Sequence, residues 1–374
     1  MKTIIVGVSG GLDSMVLLDK LYKQGKKLVV AHVNYQKRDD SYIDIQCIKD
    51  YIKDKDIILE NILIPKDYSY TDNFQKQARL LRYDFYLDIA NKYQTNLLYL
   101  GHHKDDFLET YLFQKDRQGL VNYYGIAKYS NYQELIVVRP LIDEYKQELL
   151  DYSIINHIPY HEDSSNQELT YTRNIIRSKL NSYSITDKNN LYNQALQDNL
   201  ELKKEIFQTL KETRCVYTIE DFNKLDKSIK RRLIFNHVKD YQMTLKYIDE
   251  ILRVLEVSKS VTYEFLNTFI QRSYDTIYLL SFSDLNYTIL INNEISLQNI
   301  KKHFKVKYNF DIIIGNSEYP FIIRNLDNKD ISILVNDIKK HRKLMKNKKV
   351  PKYLQDHLPV IEKDGEVVGF AFKL

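Results

Sequence analysis

The chain reads as an α/β protein: a doubly wound parallel sheet at the amino end, then a mainly helical stretch, then a small α+β segment. Three observations carry that reading. In the first third, short β-branched runs alternate with longer helical patterns. From about residue 190 apolar residues recur at helical spacing, as at Tyr192, Leu196, Leu200, Phe207 and Leu210. From about 285 strand-like runs return, and they end with Lys363-Asp364-Gly365 between two apolar runs, a hairpin signal.

Taken in order, Thr3–Val8 predicts a strand, Ser14–Lys23 a helix and Leu28–Asn34 a second strand. Asp40–Lys53 predicts a helix, Ile57–Ile64 a third strand, Asp72–Tyr93 a long helix, Leu97–Gly101 a fourth strand and Lys104–Gln114 another helix. Parallel strands need crossover helices. Ligands of such sheets bind at the carboxyl ends of the strands. Those ends are Ser9-Gly10-Gly11, His32-Val33-Asn34 and Gly101-His102-His103. Farther on, Asp226–Lys239 and Leu245–Val257 read as helices, and Leu358–Glu362 and Glu366–Phe372 as strands. The expected division is a catalytic domain over 1–184, a helical domain over 190–284 and a small basic domain over 285–374.

Composition bounds the possibilities. The 374 residues are 44% hydrophobic and 28% charged, ordinary for a globular protein. The longest apolar runs fall far short of the ~20 residues of a membrane-spanning helix. The apolar stretch after Met1-Lys2-Thr3 breaks at Ser9-Gly10-Gly11, too early for a secretory signal. Two distant cysteines, Cys47 and Cys215, build neither a disulfide framework nor a metal knuckle. A cytoplasmic protein with no membrane partner is the expectation, and no protein partner is implied. The 31 tyrosines beside no tryptophan fit the drift of an AT-rich genome or an array for stacking bases. The net charge of +5 is uneven: residues 1–200 balance at −2, 201–300 at zero and 301–374 at +7. A polyanionic partner would therefore gain most at the carboxyl end.

Two clusters carry chemistry. Ser9-Gly10-Gly11-Leu12-Asp13-Ser14 follows a strand and opens a helix. Glycines bring backbone N–H groups close to an anion, and the helix start adds its dipole and free donors. Asp13 suits a magnesium ion among phosphate oxygens. The plainer alternative is a glycine turn with a capping residue. No Gly-Lys-Ser/Thr follows, so this is not a Walker A loop. The second cluster is Gly101-His102-His103-Lys104-Asp105-Asp106-Phe107-Leu108-Glu109-Thr110. On a helix beginning near Lys104, Asp106 and Glu109 share a face, as do Asp105 and Glu109. The acids complement a helix dipole, hold a zinc or manganese ion with the histidines, or surround a reacting group and a cationic substrate.

The hexad resembles the pyrophosphate loop of the N-type ATP pyrophosphatases. Further positions narrow the resemblance: Ala78-Arg79-Leu80-Leu81-Arg82-Tyr83, Arg139-Pro140-Leu141, Glu162-Asp163-Ser164-Ser165-Asn166 and Arg173-Asn174-Ile175-Ile176-Arg177. With His32-Val33-Asn34 and the His102–Thr110 cluster, the series over about 1–180 is similar to the tRNA(Ile)-lysidine synthase family. The likeness resumes at Lys349-Val350-Pro351-Lys352 and Leu358-Pro359-Val360. Two departures stand out. Tyr35 replaces a usual histidine, with Arg38 still ending that motif. Lys115-Asp116-Arg117-Gln118-Gly119-Leu120 replaces a glycine-rich loop.

The resemblance implies ATP and Mg2+ as cofactors, and L-lysine and the isoleucine tRNA with a CAU anticodon as partners. It implies an adenylated cytidine intermediate, with AMP and pyrophosphate released. It assigns Ser9, Gly10, Gly11, Leu12, Asp13 and Ser14 to the ATP phosphates, with Asp13 the metal ligand. His32, Val33, Asn34 and Gly101 fall to the nucleotide, His102 to the adenylation transition state, and Asp106, Glu109 and Arg173 to lysine and catalysis. Eight Lys/Arg and no acid lie between Asp337 and Asp356. Lys339, Lys340, Arg342 and Lys343, with Arg79 and Arg82, are therefore the expected tRNA contacts. A tRNA thiolase would need reactive cysteines or an iron–sulfur cluster. A glutamine-dependent ligase would need a glutaminase, and a non-enzymatic RNA-binding protein would not need an intact phosphate loop with its acids.

Overall fold

Apolar residues on alternate sides of short strands build the amino-terminal half. The computed structural model describes residues 2–36, 40–65, 67–68, 74–161, 172–238, 243–281, 283, 287–308, 314, 319–326, 343 and 357–371, without the side chains of 172–174, 303 and 305–308. The chain divides into two units, Met1–Leu202 and Lys203–Leu374.

In the first unit the elements are β1 (Ile4–Gly7), α1 (Leu12–Lys23), β2 (Leu28–Asn34), α2 (Ser41–Ile52), β3 (Ile57–Leu63), α3 (Phe74–Lys92), β4 (Leu97–Leu100) and α4 (Lys104–Arg117). They continue with β5 (Tyr129–Tyr132), β6 (Leu135–Val138), a 3-10 turn at Pro140–Asp143, α5 (Lys146–Ile155), α6 (Thr172–Asn181) and α7 (Ile185–Glu212), whose last turns enter the second unit. The sheet order is β3-β2-β1-β4-β6-β5, parallel throughout except for the edge strand β5. Side chains alternate across it. Ile4, Val6, Val8, Leu28 and Val30 pack with Leu17, Leu21, Ile48 and Leu149 of α1, α2 and α5. Ile5, Val29, Ala31, Leu98 and Leu100 pack with Tyr83, Tyr86 and Ile89 of α3. Both faces are thus covered, as a parallel sheet requires, and each fully buried Val, Leu or Ile contributes about 1.5–3 kcal/mol.

The second unit holds β7 (Val216–Thr218), α8 (Ile219–Lys224), α9 (Lys227–His237), α10 (Leu245–Val257), β8 (Ser260–Glu264), β9 (Thr268–Ser273) and β10 (Thr276–Ser281). Then come β11 (Thr288–Ile291), α11 (Glu294–Tyr308), β12 (Phe321–Asn325), β13 (Pro359–Lys363) and β14 (Glu366–Phe370). Two antiparallel sheets run β7-β10-β9-β8 and β11-β12-β13-β14. Residues 190–284, expected to be mainly helical, carry most of α7 together with α8 to α10 and also the first of these sheets. One core serves both: Phe269, Tyr278 and Leu280 pack with Ile291, Phe304, Phe321, Ile323 and Ile361. Ile248, Ile251, Leu252 and Leu255 bury the inner face of α10. Asp364 and Gly365 both take positive φ, 53° and 82°, as a two-residue hairpin turn demands. No helix among the described residues is long and apolar enough to cross a membrane.

Candidate active site

Strand β1 has β2 on one side and β4 on the other, so the chain reverses its winding direction there. At such a switch point the loops after the two strands part and leave a crevice. After β1 come Ser9 to Ser14. Gly11 caps α1 with no side-chain partner of its own, so the first amides of the helix stay available to an anion. The serines tie the loop together: the Ser14 hydroxyl donates to the Gly11 carbonyl at 2.9 Å and accepts from the Ser9 N–H at 3.1 Å. Gly10 has φ +94°, a conformation that favours glycine.

The loop after β4 forms the other wall. A Cβ on Gly101 would stand 3.0 Å from the Asp13 carbonyl oxygen and 3.2 Å from Ser14 Cα, so glycine lets the two loops touch. His103 is buried, with Nε2 3.5 Å from Asp13 Oδ2 and 3.6 Å from Asp106 Oδ2. Burial favours its neutral ring, but Asp13, Asp106 and Asp105 outweigh that and raise its pKa. Asp106 also accepts the His103 backbone N–H at 3.0 Å. His102 behaves oppositely. Burial, opposed by Asp106 and aided by Arg139, Arg79 and Arg82, pushes it down to about 4. Its ring is therefore neutral near pH 7. The arginines of α3 expected to meet tRNA thus share a field with this histidine.

Asp105, Asp106 and Glu109 of α4 have different occupations. Asp105 accepts from the Lys146 N–H at 2.8 Å and from Lys188 Nζ at 2.6 Å, joining α4 to α5 and α7. Its pKa is lowered because these bonds outweigh burial. Glu109 is buried and gripped by Arg177 of α6, with Nε to Oε1 2.6 Å and Nη2 to Oε2 3.1 Å. Such a two-pronged pair is strong and directional. Sequence reasoning marked Glu109 but not this partner, although Arg177 closes the Arg173–Arg177 motif. Arg173 lies in the first turn of α6, its side chain outside the described residues.

At the end of β2, His32 is buried, with Nδ1 2.9 Å from the Val8 carbonyl and Nε2 without a partner. Burial lowers its pKa. Asn34 spends its side chain on the turn, donating to the Ser41 carbonyl and accepting from the Gln36 N–H. Tyr35, the departure from the family pattern, donates to the Ala78 carbonyl at 2.7 Å and thereby meets α3. The loop after α4 is pinned by two backbone donors: the Tyr124 N–H donates to Asn199 Oδ1 and the Gly125 N–H to Gln114 Oε1. Arg139 donates to the Ala127 carbonyl and to Ser130, bracing the β5–β6 hairpin. Arg38, Glu162 to Asn166, and Lys339, Lys340 and Arg342 lie outside the described residues; Lys343 lies within them.

Asp13 Oδ1 is buried without a hydrogen-bond partner, an acceptor in want of a cation. No group of three His, Cys, Asp or Glu among the described residues is placed to hold a metal. One carboxylate oxygen fits Mg2+, which takes few protein ligands and completes its shell with phosphate and water. Burial, with Asp44 and Asp50 nearby, pushes the Cys47 thiol up to about 11, which keeps it protonated near pH 7.

A family model described as a PP-loop domain matches residues 1–183. A tRNA(Ile)-lysidine synthase from Mycoplasma mycoides is 34% identical over 340 residues, spanning 86% of this chain and 84% of that one. One from Mycoplasma genitalium is 33% identical over 271 residues, spanning 71% and 93%. A solved U34-tRNA thiolase from Methanococcus maripaludis is similar at TM-score 0.43 and 16% identity, over 57% of this chain and 74% of that one.

Proposed function

Because the chain belongs to the tRNA(Ile)-lysidine synthase family, ligases that form a C–N bond, we propose that it joins L-lysine to the wobble cytidine of the CAU-anticodon isoleucine tRNA in the cytoplasm. The base leaves the anticodon stack to enter the crevice. Its C2 oxygen attacks the α-phosphorus of ATP and pyrophosphate leaves. The lysine ε-amine then attacks C2, loses a proton, and AMP departs. The observation that supports this reading best is the contact of the two loops, which sets the helix start of α1 against the His102–Asp106 segment.

The backbone from Ser9 to Ser14 cradles the phosphates, and Asp13 holds the Mg2+ that offsets their charge. His102, neutral, donates a hydrogen bond to the oxygens of the transferring α-phosphoryl group, where negative charge develops. Asp106 and Glu109 receive the lysine ammonium. Glu109 takes part by sharing its carboxylate with Arg177, and Arg173 faces the substrate carboxylate or phosphate. Residues 285–374, including Lys339, Lys340, Arg342 and Lys343, form a tRNA-binding domain, and Arg79 and Arg82 meet the same tRNA nearer the site.

The test is incubation with labelled lysine, ATP and each tRNA transcript. Label should enter the isoleucine transcript alone, with one AMP released per lysine. Label without AMP, or none in any transcript, would overturn the reading.

A further inference from the structure

The phosphate loop is gripped from outside by two residues that none of its motifs contain. His161 donates its backbone N–H to the Gly10 carbonyl at 3.0 Å. Its Nδ1 lies 2.8 Å from Oδ1 of Asp44 in the first turn of α2, and its Nε2 lies 3.7 Å from Asp40 Oδ2. The pair is mostly enclosed, with His161 21% and Asp44 14% exposed. Asp44 also bears on the loop directly: a Cβ on Gly10 would stand 2.9 Å from its Cα, Cβ and carbonyl oxygen.

This grip decides which way one peptide faces. A trans peptide points its carbonyl and its N–H to opposite sides. With the Gly10 carbonyl turned to His161, the Gly11 N–H turns the other way, where Ser9 Oγ accepts it at 3.3 Å. That bond is long, so a phosphate oxygen can replace it. Adjacent glycines rotate with little steric resistance. A flip of this peptide would withdraw the donor and present a carbonyl oxygen to the anion instead.

We propose that Asp44 and His161 are positioning residues, a clasp that holds the Gly10–Gly11 peptide in its anion-binding orientation. The proposal rests on the reading of this loop as the ATP site. It carries a sign that electrostatics alone would reverse. Asp44 is an anion beside a site for a tetra-anion, so its removal on charge grounds alone would tighten ATP binding. Loss of the clasp loosens it.

The experiment is equilibrium binding of Mg-ATP, without tRNA or lysine, to the full chain and its variants, beside thermal unfolding. Asp44→Ala should weaken ATP binding about three- to tenfold, the scale of one lost hydrogen bond, with little change in unfolding temperature. Asp44→Asn keeps an acceptor for Nδ1–H and should bind ATP as well as the parent or better. His161→Phe breaks the same bond from the other side and serves where Asp44→Ala unfolds. ATP binding unchanged or tightened in both Asp44→Ala and His161→Phe overturns the clasp, as does an Asp44→Asn defect equal to that of Asp44→Ala. A parent that binds ATP with this pattern but makes no lysidine leaves the clasp standing and removes the proposed reaction. A parent that binds no ATP removes both.

Discussion

In the first unit, buried polar atoms without a hydrogen-bond partner gather around the carboxyl ends of the parallel strands: Asp13 Oδ1, His32 Nε2, His102 Nδ1 and Arg139 Nε. The second unit encloses its buried cations. Arg272 donates to the Leu255 and Glu256 carbonyls at the end of α10 and to the Tyr274 carbonyl, and Lys230 reaches Glu256 at 3.3 Å. Gln271 Oε1 is the exception there among the described residues. Each unsatisfied buried group costs about 1–3 kcal/mol. A fold selected for stability alone closes such groups, as the second unit does. The first unit leaves them open at the mouth of the crevice.

That contrast can be broken from either side. Asp13→Ala removes an open group, and we expect it to lower ATP-dependent pyrophosphate release by at least ~100-fold while the unfolding temperature holds or rises. Normal pyrophosphate release from a folded mutant would end the assignment. Glu109→Gln should raise the lysine requirement severalfold more than the ATP requirement, because an amide pairs poorly with an ammonium. It also leaves Arg177 half-paired, so Arg177→Gln should separate the two effects. Equal changes for both substrates would move Glu109 to a nucleotide role.

Arg272→Ala opens a closed group. The expected loss is ~2–4 kcal/mol of stability in denaturant titration, with Mg-ATP affinity unchanged in the folded protein. A matching loss of ATP affinity would show that the contrast is not one of function against stability.

His102 sharpens the comparison through pH. Its folded pKa of about 4 lies below the unfolded value of about 6.5, so between them the unfolded chain binds more protons. Stability should therefore fall as pH drops from about 6.5 to 4, and His102→Gln should flatten that limb in urea midpoints. His103, with its raised pKa, contributes fully below about 6.5 and loses its contribution as pH climbs through the raised value. The smallest effect is expected from changing Lys339, Lys340, Arg342 and Lys343 together to Gln: weaker tRNA binding and a salt slope shallower by about 0.9 per lost phosphate contact. An unchanged slope would move the tRNA contact to Arg79 and Arg82.

Much of this was legible in the sequence where the signal is local. The strands and helices up to Arg117 follow the alternation of apolar runs to within a few residues, and the phosphate loop lies where its glycines predict. What was hidden depends on contacts distant in sequence or on turns without signals. The β9–β10 hairpin turns through Tyr274 at φ +53°, with no Gly or Asn to announce it, and β5–β6 turns likewise through Gln133 at φ +49°. Helical periodicity on either side then masks the strands. The Arg177–Glu109 fork and the His161–Asp44 pair join residues 68 and 117 positions apart. Nothing in their own neighbourhoods marks them as partners.

The touching of Gly101 and the Asp13 backbone also has a consequence for how the chain is born. The loops meet only because β1 pairs with β4, Ile5 opposite Leu98. Until that long-range pairing closes, at a loop-closure cost of about 4 kcal/mol plus a constant, the ribosome has released the glycine loop but no wall for it to face. An emerging chain that lacks β4 presents the glycine loop without the wall that the loop after β4 supplies. The crevice therefore forms after the sheet, and a ligand held between the two loops stabilises only chains in which β1 and β4 have already paired.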